Sequence, residues 1–328
     1  MTADGPQTML ADERLAMLAA LVNGDTALAF RVAQDCLSNG VAFDRIVDHV
    51  LQPVQESFGR RWAEGELGIA DEHAATAAIE ELLVKLGSTT EPSSGPTVVV
   101  VSAPGDTHSL GVRAVSGALA LEGFRPLFLG TSVPAVELGD FLEFHQPFAL
   151  ALGCSIPAAL AGAAAATRAA HDVGVPVLGG GRALRDGSRA ARLGVDAFAL
   201  TPAEAVEQLR AWEASRPERL APAVGPIPEH DRLLERTPML IAAALDGFHL
   251  GLSRLAIGDE LTRLLAIVEA AILLDEPEII DEHLAWLRDT SAAHGVATTQ
   301  LDASLWTLAG AMDGDLQRAG EFLRCAIG

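Results

Sequence analysis

The sequence predicts an α/β fold combined with all-α regions: a doubly wound sheet of Rossmann or flavodoxin type, flanked on both sides in the chain by helices. Three observations carry this. Between residues 97 and 215, short apolar runs alternate with helical patterns, as in successive parallel βα units. Residues 8–86 place apolar residues at helical spacing with short polar connections, as a four-helix bundle requires. Beyond residue 230 the pattern is helical again.

Composition narrows the function classes. The 328 residues suffice for two or three domains with proper cores. No uncharged run reaches the length of a membrane span, and no basic segment followed by an apolar core marks a secretion signal. The three cysteines, Cys36, Cys154 and Cys325, are too widely spaced for a metal knuckle or a disulfide framework, which predicts a reducing cytoplasm. A net charge of −21 opposes nucleic-acid binding, because phosphate backbones attract basic faces.

The first domain is read at residues 1–87. Its helices are expected at Met9–Leu21 and Ala27–Leu37, separated by Asn23-Gly24-Asp25, then from Phe43 through Pro53 to Trp62, and from Ile69 to Leu86. From residue types alone, Trp62 is a core aromatic, and Glu72 and His73 are a solvated pair. Ser88–Pro96 is a polar linker.

The α/β domain is read at 97–215, with strands at Thr97–Ala103, Pro126–Gly130, Ala149–Gly153, Pro176–Leu178 and Ala197–Leu200. Helices are expected near Ser109–Leu121, Pro134–Phe144, Ala158–His171, Ala183–Ala191 and Pro202–Ala214. The chain is organised around the first strand and its turn, Val98–Gly111. A valine run ends in Ser-Ala-Pro-Gly and delivers Asp106, His108 and Gly111 to the carboxyl edge of the sheet, where such folds bind ligands. A loop histidine is ordinarily solvated. Asp106, two residues earlier, supplies the carboxylate to which a metal-bound imidazole gives its other N–H. Gly111 leaves room for a bulky group to pass the backbone. A flavin or phosphate binder on the same fold would also use such loops.

Arg216–Glu229 is a second linker, rich in proline and charge, and residues 230–328 form a helical C-terminal domain. Helices are expected at Leu240–Leu255, Glu260–Leu274, Glu278–Ala292, Thr299–Met312 and Leu316–Ala326. Asp246, Phe248 and His249 lie on a long apolar segment, where the plain reading is a helix face with one satisfied histidine.

The pattern Asp106-x-His108-x-x-Gly111 resembles the signature of cobalamin-binding domains. The resemblance implies that His108 replaces the nucleotide base beneath cobalt and that Asp106 orients it, with Thr107 and Ser109 completing the loop. Ser155 corresponds to the serine beside the buried benzimidazole tail, although Pro157 stands where that element has leucine. Gly179-Gly180-Gly181 corresponds to the glycine pair near the tail. Trp62-x9-Glu72-His73, with Ile69 seven residues after the tryptophan, resembles the helical cap of light-sensing cobalamin proteins, whose residues cover the upper face and enclose a 5′-deoxyadenosyl group. His283-Leu-Ala-Trp286-Leu followed by His294-Gly295-Val296 is similar to helical sensor domains of globin type. Cap, cobalamin domain and globin-like module in this order resemble the photocobilins, B12-dependent photoreceptors that hold biliverdin beside cobalamin. That likeness makes Asp246, His249 and Arg254 candidate bilin contacts. It implies a cytoplasmic signalling protein that binds adenosylcobalamin and responds to photolysis of its cobalt–carbon bond. No enzyme chemistry is required of it, and it needs neither nucleic acid nor membrane. A light-dependent homo-oligomer is expected. The alternative is a corrinoid methyl carrier of a methyltransferase system, and a radical mutase subunit would need a substrate barrel that this sequence lacks.

Overall fold

The computed structural model describes residues 10–88, 93–185, 187–217, 228–246, 254–295 and 298–328. Four consecutive valines, Val98–Val101, dictate the central strand β1 (Thr97–Ser102), because branched side chains fit a pleated surface buried on both faces. Alternation sends Val99 and Val101 into one apolar core and Val98 and Val100 into another. The remaining strands are β2 (Arg125–Gly130), β3 (Ala149–Gly153), β4 (Val177–Gly180) and β5 (Ala197–Ala199). All are parallel, in the order β2-β1-β3-β4-β5. The order reverses between β1 and β3, so the loops after those strands diverge and leave a crevice at their carboxyl ends.

The N-terminal helices are α1 (Ala11–Val22), α2 (Thr26–Ser38), α3 (Phe43–Ile46), α4 (Gln52–Ala63) and α5 (Ile69–Leu86). A π-helical turn, Val47–Leu51, joins α3 to α4, with Gln52 N–H bonding Val47 O. Pro53 lacks the N–H that a regular helix needs there, and the wider turn absorbs that defect. This layer meets the sheet domain where α5 crosses α6 (Leu110–Leu121). A Cβ on Gly117 would lie 2.8 Å from Phe43 and 3.2 Å from the Gly87 backbone, so only glycine permits the approach. That contact sets α5 over the β1 loop.

The other sheet-domain helices are α7 (Ala135–His145), α8 (Leu160–Asp172), α9 (Ser188–Arg192) and α10 (Pro202–Ala214). The expected helix Ala183–Ala191 is not continuous. A 3-10 turn at Arg182–Leu184 precedes α9, and the positive φ of Arg185 (54°) and Gly187 (88°) breaks the helix between them. Gly179 and Gly180, expected after the fourth strand, lie within β4.

The C-terminal helices are α11 (Pro228–Asp246), α12 (Arg254–Leu274), α13 (Glu278–Ala293), α14 (Thr298–Ala311) and α15 (Gln317–Ile327). The first begins twelve residues earlier than its sequence pattern indicated, inside the expected linker, and contains Pro238. Arg254, placed by the sequence near the end of one helix, opens the next. These helices share an apolar core with the sheet: Ala159, Leu160 and Ala163 belong to the same buried cluster as Leu264, Val268 and Ile272. Within the described residues, no helix is long and apolar enough to cross a membrane.

Inside this module His230 Nε2 lies 2.8 Å from Glu269 of α12 and its Nδ1 3.2 Å from Asp231. The hydrogen bond to Glu269 raises the imidazole pKa above its ordinary value, against burial, which lowers it; Asp231 adds to the rise. A raised folded pKa stabilises below the unfolded value of about 6.5 and loses that contribution as pH rises through the folded value. Urea unfolding of the full chain should therefore show stability falling above neutral pH, and His230→Gln should flatten that slope. An identical slope in the variant would assign it to another group.

Candidate functional site

The turn after β1 closes through Asp106 N–H to Ala103 O (2.9 Å), with Gly105 at φ 85°. The Asp106 side chain is completely buried, and its carboxylate is saturated by three donors. Oδ1 accepts from the His108 backbone N–H (2.9 Å) and pairs with His108 Nδ1 (2.8 Å). Oδ2 accepts from Ser155 N–H (2.5 Å) in the loop after β3. Asp106 thus ties together the two loops that flank the topological switch. Ser102 Oγ fixes the His108 carbonyl at 2.7 Å.

In the neutral imidazole the single N–H lies on Nδ1, turned toward the Asp106 carboxylate, and Nε2 then keeps a free lone pair. The imidazole is 59% exposed, with Nδ1 held by a buried group. The Asp106 hydrogen bond raises its pKa above the ordinary value; burial opposes this, while the charges of Asp106 and Glu72 support it and Arg263 of α12 counters it. The charges of Glu72, on the N-terminal helices, and Arg263, on the C-terminal helices, thus both act on the imidazole. Gly111 opens onto empty space, since a Cβ there would meet nothing within 4 Å.

Above this loop, α5 presents a polar stripe at Glu72, Thr76 and Glu80. Glu72 Oε1 accepts from Gln55 Nε2 (2.7 Å) and Thr76 Oγ1 (2.8 Å), and Oε2 lies 2.8 Å from His73 Nδ1. Burial pushes the Glu72 pKa up, but the hydrogen bonds from His73, Thr76 and Gln55 bring it below the ordinary carboxylate range. The carboxylate is therefore ionised at neutral pH. Ser109 hydrogen-bonds Glu80, which fastens the β1 loop to α5. Ile69, the first residue of α5, is half exposed.

Trp62 closes α4. Its ring lies 6.2 Å from Trp286 and 6.0 Å from His294, so its neighbours include C-terminal residues that its own motif did not foretell. Each glycine of β4 and its turn has a packing reason. A Cβ on Gly179 would lie 2.8 Å from Val195, on Gly180 2.8 Å from Ala199 O, and on Gly181, at φ 102°, 2.3 Å from Cys154 O. Gly181 thus passes directly beneath the loop that carries Ser155. Thr107 is exposed on the β1 loop. Of the bilin candidates, His249 lies outside the described residues, and Asp246 and Arg254 are described only as the last residue of α11 and the first of α12.

Sequence reasoning missed Gln55, Thr76, Glu80 and Arg263. The spacing of Glu72, Thr76 and Glu80 could have exposed the α5 stripe, because positions four apart share a helix face. Gly162 was also missed: a Cβ there would fall 2.0 Å from Pro104 O, so α8 supports the β1 turn by backbone contact.

The residues present fit a corrinoid. A cobalt already held by a macrocycle needs one donor from the protein, and His108 offers one free imidazole nitrogen backed by a carboxylate, which increases its basicity. Among the described residues no cluster of three or more His, Cys, Asp or Glu could hold a bare metal ion.

A parallel sheet with such an imidazole at its switch point, beneath a helical layer, is consistent with the class of cobalamin-binding proteins, which the family comparisons support. The chain indeed contains two matches to B12 binding domain models, at residues 14–86 and 96–210. Among curated proteins it is 30% identical over 100 residues to the HTH-type transcriptional repressor CarH of Myxococcus xanthus, covering 30% of this chain and 33% of the repressor. It is 26% identical over 129 residues to the trimethylamine corrinoid protein of Methanosarcina barkeri, covering 38% of this chain and 58% of that protein. The chain thus spans about a third and somewhat over half of these relatives. Among solved structures, the Methanosarcina barkeri monomethylamine corrinoid protein superposes with a TM-score of 0.52 at 20% identity, over 62% of this chain and 99% of that one. That likeness shows the fold.

Proposed function

We propose that this chain is a light-responsive signalling protein that holds adenosylcobalamin between the β1 loop and a cap formed by the N-terminal helices. The observation that carries the reading is the presence of two prepared groups. His108 is pinned on the β1 loop by buried Asp106, and ionised Glu72, held by Gln55 and Thr76, lies on α5, which Glu80 fastens to the same loop through Ser109. His108 would bind cobalt through Nε2, with Thr107, Ser109 and Gly111 beside it. Ser155 and Gly179–Gly181 would line the path of the nucleotide tail. Trp62 and Ile69 would exclude water from the upper face, and Glu72 and His73 would accept and donate hydrogen bonds to ribose hydroxyls. Bound adenosylcobalamin would supply a cobalt–carbon bond that visible light breaks. The protein's part is then to change shape when its lid loses the group that it covers. No reaction of its own is required.

The C-terminal helices, read as a globin-like module, would hold biliverdin near the cobalamin, with Asp246 and His249 as acceptors for pyrrole N–H groups and Arg254 as a cation for a propionate. A light-dependent change of homo-oligomeric state is the expected output, in a cytoplasmic setting. A second reading, a corrinoid methyl carrier, is favoured by the similarity to the trimethylamine corrinoid protein. Trp62 distinguishes the two, because a methyl group needs no large aromatic lid.

The test is an absorption spectrum of the protein loaded with adenosylcobalamin and biliverdin, taken before and after green light, for wild type and Trp62→Ala. The expected result is a light-dependent spectral change in the wild type, weaker adenosyl binding in the variant, and a separate red band from the bilin. Preference for methylcobalamin with no response to light would establish the carrier reading instead. Failure to take up biliverdin would leave the C-terminal helices as a relay.

A further inference from the structure

The sequence motif His283-Leu-Ala-Trp286-Leu, with His294, is not used by the cobalamin loop, yet α13 carries it to the Trp62 ring at the end of α4. Trp286 meets Trp62 at 6.2 Å and 42°, and His294 meets Trp62 at 6.0 Å and 51°. Tilted rings at these distances lie within the range of favourable aromatic contact. Trp286 is in turn stacked on His283 at 5.8 Å and 27°. His283 is itself anchored, with Nε2 3.2 Å from Glu260, which pairs with Arg263 at 3.1 Å. Arg263 is the cation that acts electrostatically on His108. One chain of contacts therefore runs from Trp62 through Trp286, His283 and Glu260 to Arg263, along the C-terminal helices.

The approach is close at the backbone as well. The turn after α4 contains Gly65 at φ 74°, where a Cβ would lie 3.0 Å from Ala293 O at the end of α13. The ring of His294 is set by Nδ1, 2.9 Å from Thr290 O. A carbonyl only accepts, so Nδ1 carries the proton and Nε2 remains an acceptor. Trp286 is 38% exposed, which leaves part of its ring available.

We propose that Trp286 and His294 are specificity-determining residues of the upper-ligand pocket: they complete, from the C-terminal helices, the lid that Trp62 begins. The inference rests on the cobalamin reading above. It assigns to the C-terminal helices the recognition of a bulky upper group: Trp286 holds the Trp62 ring in place over it, and His294 Nε2 accepts a hydrogen bond from a hydroxyl of that group. A small upper ligand such as methyl reaches neither residue.

The test titrates the full-length apoprotein with adenosylcobalamin and with methylcobalamin, following absorption, for wild type, Trp286→Ala, Trp286→Phe and His294→Ala. One aromatic contact is worth about 0.5–1.5 kcal/mol, so Trp286→Ala should weaken adenosylcobalamin binding by about twofold to twelvefold. Methylcobalamin binding should stay unchanged, Trp286→Phe should restore most of the loss, and His294→Ala, on an exposed residue, should lower the same preference. Equal losses for both forms, or no loss for either, would overturn the assignment while leaving cobalamin binding intact. A wild-type chain that binds neither form would remove the cobalamin reading and this assignment with it.

Discussion

His108→Ala should abolish imidazole coordination of cobalt and weaken cobalamin binding by more than the tenfold to hundredfold typical of losing a supporting carboxylate. The stability of the fold should barely change, because most of the imidazole surface faces solvent. Asp106→Ala should behave in the opposite proportion. The Asp106 carboxylate is fully buried and serves the N–H groups of His108 and Ser155, so its loss leaves two part-buried donors without an acceptor, at about 1 kcal/mol each. It also releases the imidazole from its tautomer and uncouples the loops after β1 and β3. Absorption spectra of the loaded variants read the first effect, and urea denaturation of the apoproteins reads the second. An imidazole-ligated spectrum that survives in His108→Ala would remove His108 from the metal, and equal stability of Asp106→Ala and wild type would deny the carboxylate its structural share.

The division between these two residues explains what the sequence made legible. Asp106 and His108 are two positions apart on one turn, so their contact is local and the motif contains it. The valine run of β1 and the βα alternation likewise encode the sheet locally, and the strands expected from residues 97 to 200 lie within three residues of those observed. The glycines after Leu178 were legible as a run but not as part of a strand, because extended glycines carry no side-chain pattern and their pairing with Phe198 and Ala199 comes from a distant segment. The interruption between Arg182 and Arg192 was legible in Asp186-Gly187-Ser188, a turn signal inside the expected helix, and the positive φ of Arg185 and Gly187 realises it. The meeting of Trp62 with Trp286 and His294 spans more than two hundred residues, and no local spacing contains it. The same holds for Arg263, whose position near His108 depends on α12 packing against α8 and the turn before it.

Glu276→Gln should destabilise the full chain by about 3 kcal/mol, the scale of breaking a largely buried ion pair by removing one partner. Arg189 of α9 is 3% exposed and donates from Nε to Glu276 Oε2 at 2.7 Å and from Nη1 to Ala183 O at 3.1 Å. Arg192 donates to the other Glu276 oxygen at 2.5 Å. Removing this anion leaves two guanidinium groups side by side, one of them buried. Neighbouring pairs should not behave this way. Arg185 with Glu282, and Arg182 with Glu56 of α4 at 3.7 Å, are largely exposed, so Glu282→Gln should cost less than about 1 kcal/mol. Glu276 sits in the connection between α12 and α13, while α9 follows the β4 turn that carries Gly181. The pair therefore fastens the helices that bear Arg263 and Trp286 to the end of the sheet. Urea unfolding separates the outcomes: a large shift for Glu276→Gln beside a small one for Glu282→Gln supports the buried clamp. Equal, small shifts would mean that the apolar core shared by α8 and α12 holds the C-terminal helices in place without it.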